Sequence, residues 1–105
     1  GSGLADNMTR TIPKNFSLEN ISPNPFFAKT TISFATPKEC KVDLAIFNAS
    51  GEIIRTLKLQ NTNPGLYKLD WAGLDDYNQS TPKGVYFIRL KAGAFCENRK
   101  LVKLQ

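Results

Sequence analysis

The chain has 105 residues, 41% of them hydrophobic and 22% charged, the balance of one globular domain with a core of its own and no room for a second. No apolar run approaches the roughly 18 to 20 residues that span a bilayer, which excludes insertion by a helix. Histidine is absent, which removes most catalytic triads and most zinc sites, and 14 basic residues against 9 acidic ones leave a net charge of +5.

Residues 1–13, opening Gly1, Ser2, Gly3, carry no helical or strand periodicity and read as a linker or expression remnant, with the domain at residues 14–105. Seven strands are expected after it. The first is residues 15–21, closed by Pro23 and Pro25, which cannot donate to a central ladder. The second, residues 30–36, alternates Ile32 and Phe34 with Thr31 and Ser33. The third, residues 41–48, sets Val42, Leu44 and Ile46 on one face and Lys41, Asp43 and Ala45 on the other. Asn48 to Gly51 make a hairpin turn into residues 52–59. After a second turn at residues 61–65 comes a strand over 65–73, with Tyr67, Leu69 and Trp71 in phase toward the core. A polar loop leads to residues 84–92, and a turn at Gly93 to the last strand, residues 95–104. No segment has helical periodicity, so the fold class is all-β, an immunoglobulin-like β-sandwich of about seven antiparallel strands, with a small barrel as the alternative.

The charge is uneven. From Arg89 onward five cations face the single acid Glu97, leaving four of the five net charges at the C-terminal end. Nucleic-acid binding would want that charge interleaved with exposed aromatics or carried on a helix, and the sequence shows neither, so nucleic acid is not expected as a partner.

Five segments, in order, resemble the C-terminal sorting domain of type IX secretion, an immunoglobulin-like tail of exported Gram-negative proteins. They are FSLENISPNPF (16–26), IFNASGEIIRTL (46–57), LDWAGLDD (69–76), PKGVYFIRLKAG (82–93) and RKLVKL (99–104). Asn78 stands where that family usually has Gly, and Asn also tolerates a left-handed backbone. A related domain occurs in the flagellar hook-capping scaffold protein; that the chain stops just after its closing strand favours the sorting reading. The resemblance implies a non-catalytic, cofactor-free, monomeric export signal. It would pass through the periplasm behind an N-terminal passenger, meet the outer-membrane type IX translocon and its sortase components, and end at the cell surface or outside the cell. The alternatives are a hook-capping type scaffold domain and a carbohydrate-binding accessory module.

The motif residues implied for recognition are Pro23, Asn24, Pro25, Gly84, Tyr86, Arg99, Lys100 and Lys103. Read from the residues themselves, Pro23 to Pro25 first of all end one strand and turn the chain toward the next, and Tyr86 suits a corner tyrosine bonded to nearby backbone. Leu101, Val102 and Leu104 are expected in the core and Arg99, Lys100 and Lys103 on the surface. A sugar platform needs solvent-facing aromatics, for which Phe26, Phe27 and Tyr77 are the candidates outside the strands. Asp75, Asp76 and Asn78 offer oxygens for calcium but lack the spacing of a helix-loop-helix site, and a solvated turn is preferred. Cys40 and Cys96 are expected as two separate buried thiols, because the penultimate strand should lie between their strands, beyond disulfide reach.

Overall fold

The computed structural model describes residues 12–105, so the linker expected over residues 1–13 lies, apart from Ile12 and Pro13, outside the described residues. Seven strands follow in chain order: β1 (Ser17–Ser22), β2 (Thr30–Thr36), β3 (Cys40–Asn48), β4 (Ile53–Thr62), β5 (Gly65–Trp71), β6 (Gly84–Ala92) and β7 (Phe95–Lys103). They form two antiparallel sheets, of order β1-β2-β5 and β4-β3-β6-β7, and so an immunoglobulin-like sandwich. β4 runs three residues beyond its expected end.

The two inner faces make one core. Leu18, Ile32, Phe34 and Trp71 from the first sheet meet Val42, Leu44, Ile46, Ile88, Leu90 and Leu101 from the second. The alternation in β3 and β6 that marks one buried face is therefore satisfied by the opposite sheet. Ala45, on the outward face, is nonetheless only 4% exposed. It is too short to escape its taller neighbours on β4 and β6. Between β3 and β4 the hairpin is held by Asn48, whose Oδ1 accepts from the Ser50 and Glu52 amides, while Gly51 takes φ +87.

β6 does lie between β3 and β7, and both cysteines are free. The expectation that both thiols are buried fails, however: Cys40 is half-buried and Cys96 exposed. Cys96 lies opposite Lys91, on the outward face of β7, where alternation sends Phe95 and Leu101 inward instead.

Candidate functional site

The two ends of the expected motif, some 75 positions apart, come together along the outer edge of β7. A sheet edge leaves every second residue's N–H and C=O without a ladder partner. Here the segment after β1 supplies partners from both a side chain and the main chain. The Asn24 amide donates to the Lys100 carbonyl at 2.9 Å, and its oxygen accepts from the Val102 amide at 3.0 Å. Phe26 N–H then donates to the Val102 carbonyl at 3.0 Å, and Leu104 N–H donates to the Phe26 carbonyl at 2.8 Å. Phe26 thereby forms a parallel bridge with Lys103. Pro23 and Pro25, both preceded by cis peptide bonds, bracket Asn24 and stay exposed; the Pro23 carbonyl accepts from the buried Thr30 hydroxyl at 2.7 Å.

Phe26 was expected among solvent-facing aromatics, but its ring is buried, with its centroid 5.6 Å from that of Trp71. Trp71 in turn meets Tyr86 edge-on at 5.3 Å, and the Tyr86 hydroxyl donates to the Pro82 carbonyl, the corner arrangement expected of it. Gly84 sits at φ +144, and a Cβ there would meet no atom within 4 Å, so its backbone conformation, rather than space, asks for glycine. Phe27 and Tyr77 are exposed but lie on separate loops and form no platform.

The three basic residues of β7 prove unlike one another. Lys103 is not on the surface. Alternation turns it inward, it is 8% exposed, and its Nζ donates to the Thr81 carbonyl at 2.7 Å and to the Gln105 carbonyl. Gly73 makes room for its stem. Arg99 is already engaged, 2.6 Å from Glu97, and donates at 2.6 Å to the Leu18 carbonyl, while Glu97 accepts from the Leu18 amide at 3.3 Å. This pair caps the free edge of β1 and joins the two sheets. Lys100 alone presents a free charge to solvent. Leu101 is buried as expected and Val102 is partly covered, but Leu104, in phase with the outward-facing even positions of β7, is exposed.

In the β5–β6 loop the carboxylates bond to their own surroundings. Asp75 Oδ1 accepts from the Tyr77 and Gln79 amides, Asp76 accepts from Thr56 on β4, and Asn78 takes φ +62. Among the described residues no group of three or more His, Cys, Asp or Glu gathers. Elsewhere Asp70, on the outward face of β5, has its carboxyl held below the usual range by the Thr31 hydroxyl that donates to it and, secondarily, by the Lys29 ammonium.

One surface escaped the sequence reading. On the outward face of β4-β3-β6-β7, Phe47, Phe87, Arg89 and Lys91 stand among each other, with Arg89 stacked 4.8 Å from the Phe47 centroid. The signal lay in the odd-numbered positions of β6, where an aromatic shares its parity with two cations.

Fold and edge together define an immunoglobulin-like domain whose early Pro-Asn-Pro-Phe segment closes its last strand. Residues 20–94 match the FlgD Ig-like domain family, and the chain belongs to that family. Among solved structures, FlgD of Xanthomonas campestris, described as a hook-capping protein essential for flagellar assembly, is 17% identical with a TM-score of 0.58 over 83% of this chain. PorZ of Porphyromonas gingivalis, an essential surface component of its type IX secretion system, is also 17% identical with a TM-score of 0.58, over 100% of this chain. The alkylpurine DNA glycosylase AlkC of Pseudomonas fluorescens is 11% identical with a TM-score of 0.54. The chain spans 64% of that FlgD chain, 13% of PorZ and 30% of AlkC, and the three likenesses concern the fold. No curated protein matches the chain in sequence.

Proposed function

We propose that this FlgD-type domain is a non-catalytic sorting signal that directs an N-terminal passenger across the outer membrane through type IX machinery, by way of the periplasm and as a monomer. The observation that carries the reading is the closed edge of β7: Pro23 to Phe26 and Lys100 to Leu104, the two ends of the sorting-domain motif, are one hydrogen-bonded unit. A machinery that tests whether a tail has folded can read that unit, since it exists only when both ends of the domain are in place. The likeness to a type IX component over the whole chain supports the same reading.

A second reading, a scaffold domain of hook-capping type, is favoured by the family match itself. The two separate in a fusion of signal peptide, reporter and domain placed in a host with type IX machinery. Sorting requires the reporter outside the cell with the intact domain and retained when residues 99–105 are deleted. An intact fusion that stays in the periplasm overturns the sorting reading and leaves the scaffold.

A further inference from the structure

The outward face of the four-stranded sheet concentrates the charge of the chain. Cross-strand register places Lys58 opposite Asp43 and Asp43 opposite Lys91, then Thr56, Ala45, Arg89 and Asn98 in the next row, then Ile53, Phe47, Phe87 and Lys100. With Lys41 at the end of β3, the strands of this face carry five cations and one acid, Asp43, and the Asp76 carboxylate from the β5–β6 loop reaches the β4 margin at Thr56. Its other end is apolar, where Ile53 is 55% exposed, Phe87 39% and Val85 36%. Between the two ends a depression of about 200 Å³ opens over Ala45, walled by Asp43, Ile53, Thr56, Lys58, Arg89 and Lys91. Neighbouring strands lie about 4.8 Å apart, so a carboxylate entering it meets Arg89, Lys58 and Lys91 from two sides.

We propose that this face is the docking surface for an acidic protein partner, one that sets carboxylates among Lys58, Arg89 and Lys91 and an apolar side chain against Phe87 and Ile53. The inference deepens the sorting reading and rests on it for the partner's biological role. Charge complementarity supplies the argument: a compact field of one sign beside uncovered apolar groups steers and then holds a partner of the opposite sign. A single-stranded nucleic acid asks for open ring faces on which bases stack. Phe47 already has Arg89 stacked on it, so the face offers fewer free rings than such a strand uses.

Two experiments test this on the whole chain. In the first, a short synthetic peptide alternating Glu and Phe, a Lys and Phe counterpart, and an oligothymidine are titrated into the labelled protein by NMR. The Glu peptide is expected to shift Phe47, Thr56, Lys58, Phe87 and Lys91 selectively, with affinity falling at least about tenfold for Lys58→Gln/Lys91→Gln and falling with added salt. No saturable binding, shifts on the opposite sheet, or tighter binding of oligothymidine than of the peptide overturns the proposal. In the second, Lys58→Glu/Lys91→Glu is compared in the export fusion with Lys38→Glu/Lys68→Glu, which has the same net charge and alters exposed lysines away from the face. Export is expected to slow about tenfold for the first pair only, with both proteins shown folded by circular dichroism. Equal export rates overturn the docking surface while the sorting reading stands; an intact fusion that is not exported removes the sorting reading and leaves the surface to the titration.

Discussion

Gly73 and Lys103 lock together, and breaking the lock measures how the buried lysine is held. A Cβ added at Gly73 would stand 2.4 Å from Lys103 Cε and 3.3 Å from its Cδ. The stem is flexible, but its end is anchored: moving it gives up the bond from Nζ to the Thr81 carbonyl, and Thr81 is itself tied to the Gly73 carbonyl through N–H and hydroxyl at 3.0 and 2.8 Å. Gly73→Ala therefore carries two costs. Its φ of +74 asks about 1–2 kcal/mol of any residue with a Cβ, and the clash or the lost bond adds about 1–3 kcal/mol. Lys103→Ala alone costs about 1–3 kcal/mol, because it leaves the Thr81 carbonyl unpartnered in a buried site. In the double variant the clash is gone, so Gly73→Ala should cost only its φ part, and the two effects should fall short of additivity by about 1–3 kcal/mol. Urea denaturation of the four proteins in a double-mutant cycle, with unchanged m values, reads this directly. Additivity within about 0.5 kcal/mol would refute the lock and place the Lys103 stem elsewhere.

Asn24→Ala should destabilise by about 1–2 kcal/mol through the loss of two hydrogen bonds to β7, at the lower end because water can reach the freed groups; hydrogen exchange at the Val102 amide should accelerate more than at the β6 amides. Asp70 has a folded pKa below its unfolded one, so its contribution is complete above the unfolded value of about 3.9 and is lost as pH falls through the folded value; acid titration of stability should show a shallower slope for Asp70→Asn. Thiol labelling of the native protein should modify Cys96 rapidly and Cys40 slowly, and equal rates would contradict their unequal exposure.

The strands were legible in the sequence because a sheet with one buried face writes a period of two into the chain, as in Val42, Leu44 and Ile46 or Tyr86, Ile88 and Leu90, and because glycine and proline interrupt it. The corner tyrosine was legible for a similarly local reason, since its partner, the Pro82 carbonyl, is four residues away. Parity also carried information that went unread: it places Lys103 with Leu101 on the inward side of β7, and Phe87 with Arg89 and Lys91 on the outward side of β6. What parity cannot carry is which distant groups an edge will meet. That Asn24 serves β7, that Phe26 leaves the surface to pack on Trp71, and that Glu97 and Arg99 cap Leu18 all depend on β1 and β7 lying side by side across the sandwich. The same holds for the basic face, because only the order β4-β3-β6-β7 gathers Lys58, Arg89 and Lys100 onto one surface. Alternation is a property of each strand by itself, whereas adjacency is created only when two sheets bury their apolar faces against each other.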